Sequence, residues 1–227
     1  MNTKPTITIG IPAYNEEANI GNLISSLLAQ KTDSIELKEI LIISDASTDN
    51  TVEKAESLND ARIKVIQKEK REGAYIAQNM ITAMSDSDIL VLLNADILPA
   101  NNDFLEEISK PIVSNPKVGI VCAEMIPAEA RTGFEKIMIN SYKIKQRIFN
   151  DINKGHNLYN CVGVARAFSR KLYKKIEWPM NLPEDAYSYF FCLGRGLKFI
   201  YTPSAKIFFR TPSNLKDHIK QSTRFFG

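Results

Sequence analysis

The chain has 227 residues, 44% of them hydrophobic and 24% charged, a globular composition that excludes a disordered or collagen-like chain. No apolar run approaches the roughly 20 residues that span a bilayer, and the opening MNTKPTITIG lacks the apolar region of a signal peptide. The net charge of +3 is unevenly spread: residues 1–130 hold 11 Lys+Arg against 20 Asp+Glu, whereas residues 131–175 hold 11 against 2, so an acidic front and a basic rear suggest two surfaces with different partners.

In chain order, the β-branched run TITIGI (6–11) predicts a strand, and residues 16–30 predict a helix, with Ile20, Leu23, Ile24, Leu27 and Leu28 at helical intervals. EILIIS (39–44) is a continuous apolar strand. A helix follows over 49–58, with Ser47 or Asp49 as its cap. RIKVIQ (62–67) reads as a strand and 73–84 as a helix, with Gly73 permitting a tight turn before it. ILVLL (89–93) is a fourth strand. This alternation of apolar strands and helices argues for a parallel sheet covered on both faces. Ligands of such sheets bind beyond the carboxyl ends of the strands. The polar clusters fall there: PAYNEE (12–17), DASTD (45–49) and NAD (94–96).

The second half is less regular. Residues 101–113 predict a helix and 118–125 a strand. Residues 132–151 predict a basic amphipathic helix with Phe134, Met138, Tyr142 and Phe149 roughly on one face. Residues 161–168 read as a strand leading into a Lys-rich helix. PEDAYSYFFCLGRG (183–196) opens a helix. KFIYTP and AKIFF read as two short strands around Pro203, and 214–227 as a terminal helix. Cys122, Cys161 and Cys192 have no metal or redox spacing and are expected as reduced thiols. His156 and His218 lack matched partners and are not read as ligands. Trp178 and Tyr187 are equally suited to a sugar face or to the core.

The constellation resembles the family 2 glycosyltransferases. IPAYNEEANI is similar to that family's opening strand and turn, and IISDASTDNT to its aspartate-rich second motif. NADILP resembles the metal-binding Asp-X-Asp motif, PEDAYSYF the Glu-Asp segment, and QSTRFFG the Gln-X-X-Arg-Trp motif, with Phe225 in place of Trp. The resemblance implies the α/β GT-A fold, a Rossmann-like mostly parallel sheet flanked by helices. It implies one domain, with residues 1–100 binding nucleotide and 101–227 binding acceptor.

The resemblance also implies an inverting transfer of sugar from a nucleotide-diphosphate sugar, UDP-linked by expectation, to an acceptor hydroxyl. Asp45 can accept from a uracil imide N–H, and Pro12 and Tyr14 can supply surface. Ala13, Glu16 and Arg71 match further nucleotide-pocket positions. Asp96 is the expected ligand of Mn²⁺ or Mg²⁺ at the diphosphate. Asn94 stands where the motif's first Asp would be, and it contributes an amide without charge. Asp185, beside Glu184, is the expected general base. Gln221 and Arg224, three apart on one helix face, would approach acceptor and diphosphate.

The expected acceptor is a carbohydrate or a lipid-linked molecule. The basic stretch 131–175 suits an anionic membrane surface, so the expected location is cytoplasmic or peripheral on the inner face of the membrane. The stop at RFFG fits a naturally soluble enzyme or the catalytic part of a longer chain. Two other functions compete. A non-catalytic nucleotide-sugar-binding module fits Asn94 but not an intact Glu-Asp pair. A sugar nucleotidyltransferase would want a Gly-rich basic phosphate loop after the first strand, which is acidic here. No interleaved aromatic pattern supports nucleic-acid binding.

Overall fold

A computed structural model describes residues 3–180 and 182–223. The strands are β1 (Thr6–Ala13), β2 (Glu36–Ser44), β3 (Ile63–Gln67), β4 (Ile89–Leu93), β5 (Leu98–Pro99), β6 (Val118–Pro127), β7 (Ala165–Ser169) and β8 (Lys198–Phe209). The helices are α1 (Ile20–Leu28), α2 (Thr51–Glu56), α3 (Ala74–Met84), α4 (Phe104–Ser114), α5 (Gly133–Asp151), α6 (Arg170–Tyr173), α7 (Glu184–Gly194) and α8 (Leu215–Thr223). The strands form one sheet in the order β3-β2-β1-β4-β7-β6-β8-β5.

β3, β2, β1 and β4 are mutually parallel. β7 runs antiparallel to β4 and to β6, so β6 and its parallel neighbour β8 point the same way as β4. The carboxyl ends of six strands therefore share one edge of the sheet.

Strand periodicity divides the apolar runs between two cores. Ile40 and Ile42 of β2, with Ile89, Val91 and Leu93 of β4, pack under α1 and α4. Leu41 and Ile43, with Leu90 and Leu92, pack against α3, α6 and α7. A strand buried on both faces shows no hydrophobic alternation in sequence, yet it still alternates in space. Gly10 lets α3 approach β1: a Cβ there would collide with an Ile81 methyl and stand 2.8 Å from Leu92 Cδ2.

The expected pair of strands around Pro203 is one strand, β8. Its pairing with β6 jumps from Thr202 opposite Ala123 to Lys206 opposite Glu124. Pro203 has no N–H to give a ladder, and the irregularity accommodates it. The strand expected at 161–168 begins only at Ala165, and Cys161 to Gly163 form part of the loop at the functional edge. All three cysteines are buried free thiols. Among the described residues no helix is long and apolar enough to cross a membrane.

α5 opens with a capping box between Thr132 and Glu135. Its expected aromatic face turns inward. Tyr142 donates to the Met125 carbonyl oxygen at 3.0 Å and meets Phe209 edge-on, and Phe149 stacks on Tyr159. A second, outward face is the unexpected part. Ile137, Ile144 and Ile148, seven and eleven residues along one stripe, are 66%, 60% and 55% exposed. Lys136, Lys143, Lys145 and Arg147 are exposed beside them.

Gly10→Ala is expected to destabilise the fold by about 1–3 kcal/mol, the usual penalty for overpacking a filled core. Urea unfolding measures this, and an unchanged midpoint contradicts the close approach of α3 to β1.

Candidate active site

The functional edge is built from the turns after β1, β2, β3 and β4. The first two turns are stitched reciprocally. Asn15 N donates to Ser47 Oγ at 3.1 Å, and Thr48 N returns a bond to Asn15 Oδ1 at 2.9 Å. Glu16 N donates to Thr51 Oγ1, Glu17 N to Asp49 Oδ2, and Asn50 N to Glu17 Oε2. Asn15 and Ala46 sit at positive φ, 54° and 58°. Asn tolerates that region, whereas Ala pays a steric penalty there. The N-cap of α2 is Asn50 rather than Ser47 or Asp49, and its side chain makes no capping bond; Asp49, one residue earlier, accepts from Thr51 N.

Asp45, directly after β2, is 4% exposed. Its Oδ1 accepts from Lys68 Nζ at 2.6 Å and from Glu72 N at 3.0 Å, and its Oδ2 accepts from Gly73 N at 2.8 Å. Burial raises its pKa, but the Lys68 ammonium and two backbone N–H groups outweigh that and hold it below the ordinary value. Gly73, at φ +98°, makes the turn that presents these N–H groups. Asp45 is therefore not the open acceptor that sequence implies. An ionised carboxylate has about four acceptor positions, so a bonding position remains on Oδ2 for a base N–H. Beside it, the Arg71 guanidinium lies over the Tyr14 ring at 3.8 Å, which makes a flat cationic-aromatic wall. Pro12 and Ala13 are the last residues of β1 beneath that wall.

Asp96 lies beyond the end of β4, two residues after Asn94. Asp96 is exposed, yet the protein packed around its carboxylate desolvates it enough to raise its pKa. Glu16 is raised as well, first by burial, which a hydrogen bond from Asn19 partly offsets, and then by the charges of Asp96 and Asp49. Glu16 and Asp96 thus form an acidic pair with no ion-pair partner among the described residues. A single carboxylate such as Asp96 fits Mg²⁺ or Mn²⁺, which take oxygen ligands and commonly keep water and substrate phosphate in the remaining positions. Among the described residues no three His, Cys, Asp or Glu side chains converge as a complete cage.

The Glu-Asp pair opens α7, where a helix N-terminus favours negative charge. The two carboxylates differ in their hydrogen-bond partners. Glu184 Oε2 accepts from Gln78 Nε2 at 2.6 Å and is drawn toward the interior. Asp185 is half-buried, and its Oδ1 accepts from Ala186 N at 2.9 Å. Its backbone meets Cys161 Sγ at 3.6 Å, which ties the turn to the loop before β7.

Trp178 belongs to the core rather than to a sugar face. It is 1% exposed, lies edge-on to Phe168 and donates its indole N–H to Ser188 Oγ at 2.9 Å. Tyr187 is half-buried and tilted against Phe191. His156 Nδ1 accepts from Tyr201 N. Gln221 lies in α8, and Arg224 lies outside the described residues. Sequence reasoning missed Lys68, Gln78 and Arg166. Arg166 alone left a signal, as one charge inside the apolar run VARAF.

The acidic turns lie at the carboxyl edge of a mostly parallel α/β sheet of GT-A architecture. Residues 8–177 match the family described as Glycosyl transferase family 2, and the chain belongs to that family. It is 32% identical over 109 residues to a UDP-Glc:alpha-D-GlcNAc-diphosphoundecaprenol beta-1,3-glucosyltransferase, WfgD, of Escherichia coli, covering 48% of this chain and 42% of that protein. It is 28% identical over 99 residues to glycosyltransferase AglE of Haloferax volcanii, covering 43% and 32%. The matched segments thus span less than half of these relatives.

Among solved structures, a mannosyltransferase from Pyrobaculum calidifontis in complex with GDP-Man and Mn²⁺ superposes with TM-score 0.74 and 20% identity, over 96% of this chain and 61% of that one. TarS of S. aureus in complex with UDP-GlcNAc superposes with TM-score 0.73 and 18% identity, over 92% and 59%. These similarities establish the fold.

For Asp96 and Glu16 the folded-state pKa lies above the ordinary value, so folding carries a penalty that is fully present above the raised pKa. The penalty fades as pH falls through it. Without divalent cations at neutral pH, Asp96→Asn is expected to raise the thermal midpoint by about 1–3 °C, the scale of a weak charge interaction in a chain of this size. The gap closes as the buffer is acidified into the ordinary carboxylate range. A lower midpoint for the variant at neutral pH contradicts a penalty for holding the Asp96 carboxylate ionised.

Proposed function

We propose that this chain is the catalytic unit of an inverting transferase that moves a sugar from a UDP-sugar to an acceptor hydroxyl. One observation carries the reading: the Asp45 cradle, the Glu16–Asp96 pair and the turn bearing Asp185 gather around one sheet edge. Residues 1–100 supply the nucleotide side and residues 101–227 the acceptor side. The free position on Asp45 Oδ2 takes the base imide N–H, and the Tyr14–Arg71 wall flanks the base. Asp96, with Asn94 beside it, is the position for Mn²⁺ or Mg²⁺, which would offset charge on the departing diphosphate. Gln221 and Arg224 are assigned to the acceptor and diphosphate side.

Asp185 takes the proton from the acceptor hydroxyl as its oxygen attacks the anomeric carbon and the bond to the diphosphate breaks. A single displacement inverts the anomeric centre, so an α-linked donor gives a β-linked product. Glu184 is held inward by Gln78, which favours Asp185 as the group facing the acceptor. The acceptor is assigned as lipid-linked, a reading supported by the similarity to WfgD and by α5. The outward Ile137–Ile144–Ile148 stripe with basic residues beside it has the composition of a helix lying in an anionic lipid interface. That would set the protein on the inner face of the membrane.

In a panel of UDP-sugars, Mn²⁺-dependent UDP release identifies the donor. Asp185→Asn is expected to lower kcat about 10²–10⁴-fold while donor affinity, read by calorimetry, is kept. Transfer at the parent rate overturns the base assignment. Binding to vesicles containing anionic lipid is expected to weaken with salt and to fall at least about tenfold in the Ile144→Asp, Ile148→Asp double variant, each substitution removing a buried apolar contact of order 1 kcal/mol or more. Equal binding by parent and variant removes α5 from the membrane reading.

A further inference from the structure

We infer that Arg166 and Gln78 are positioning residues that sort the two adjacent carboxylates, holding Glu184 inward so that Asp185 faces the acceptor. Arg166 is the second residue of β7, level with Leu92 of β4 and Cys122 of β6, and is 0% exposed. Among the described residues no carboxylate comes within ion-pair distance of its guanidinium, and its Nε has no hydrogen-bond partner. Stability alone does not explain such a residue. An uncompensated buried charge is unfavourable, and an apolar side chain of similar volume serves a core as well or better.

Its hydrogen bonds converge on the opening turn of α7. Nη1 donates to Ser188 Oγ at 2.9 Å and to the Glu184 carbonyl oxygen at 3.3 Å, and Nη2 donates to Gln78 Oε1 at 3.2 Å. The guanidinium has donors and no acceptor, and a carboxylate has acceptors and no donor. The Gln78 amide between them therefore has one workable orientation, with its oxygen toward Arg166 and its nitrogen toward Glu184 Oε2 at 2.6 Å. The Arg166 charge is thus matched to the Glu184 carboxylate through an amide.

The Glu184 carbonyl also receives the Trp178 indole N–H and the Ser188 hydroxyl, so three donors meet on it. Asn79 exchanges two bonds with the Trp178 backbone and locks that loop to α3. The result is a fixed turn in which the Glu184 carboxylate is held by a side chain of α3, whereas the Asp185 carboxylate accepts from the Ala186 N–H beside it. A freed Glu184 would compete for the same space and add like charge beside Asp185.

The inference rests on the reading of Asp185 as base, and the test separates the two. Arg166→Met, Gln78→Met and the double variant are compared with the parent and with Asp185→Asn. The chain contains one Trp, so the indole N–H resonance of Trp178 reports the turn directly. Arg166→Met is expected to keep or raise the urea midpoint, shift the indole resonance and lower kcat at least tenfold. Its KM for UDP-glucose, or for whichever panel donor turns over fastest, stays within twofold, with UDP release in Mn²⁺ as the readout. Gln78→Met is expected to lower kcat similarly, and the double variant to lose no more than the worse single one.

A kcat within twofold of the parent in both single variants, with Asp185→Asn inactive, overturns the relay and leaves the base standing. A reduced urea midpoint with parent-like kcat and indole signal makes Arg166 a packing residue and also overturns it. Asp185→Asn at the parent rate overturns the base reading on its own. If Arg166→Met fails to fold, the same kinetic and spectroscopic criteria applied to Gln78→Met decide.

Discussion

Two carboxylates without a cation beside them among the described residues, Glu16 and Asp96, stand at one edge of the sheet: burial raises the pKa of both, and the Asp96 charge raises Glu16 further. Four parallel strands in the order β3-β2-β1-β4 deliver Glu16, Asp45 and Asp96 to neighbouring turns. Asp45 is neutralised inside the protein by Lys68 and two backbone N–H groups. Glu16 and Asp96 are not, and both have raised pKa values. A fold that keeps two such carboxylates together holds a potential that a divalent cation can satisfy, and a bound cation in turn suits a diphosphate.

Preorganisation supports that charge. The reciprocal bonds between the first two turns, and an alanine held at positive φ, fix the turns that carry Glu16 and Asp45. On the other side, α7 presents two carboxylates that local sequence makes equivalent, and tertiary contacts make them unlike. Gln78 and Arg166, from α3 and β7, engage Glu184 and leave Asp185 at the turn. The difference between the two acids is made by residues more than a hundred and about twenty positions away in the chain.

Much of the sheet was legible because each buried strand is an unbroken β-branched or aliphatic run between turn residues. The motif turns at Tyr14, Asp45 and Asp96 were legible because charges follow those runs directly. What failed to show was non-local. Nothing beside Asp45 in sequence announces Lys68, 23 residues on. Trp178 suited a sugar face as well as the core, and only the packing of Phe168 and Ser188 around it decides. In α5 the aromatic face is legible from its spacing, whereas the isoleucine stripe about a quarter-turn away is not, because an apolar residue at helical spacing suits a buried face as well as an exposed one. β8 read as two strands because proline ordinarily ends a ladder, and here an irregularity in the pairing absorbs it.

The most direct measurement of the central claim is calorimetric binding of UDP with and without Mn²⁺, for the parent and for Asp96→Asn. The account predicts that Mn²⁺ tightens UDP binding to the parent at least about tenfold, a coupling of ~1.4 kcal/mol, and that Asp96→Asn abolishes the gain while metal-free binding survives. Equal affinity in all four combinations would contradict a cation-bridged diphosphate at this edge.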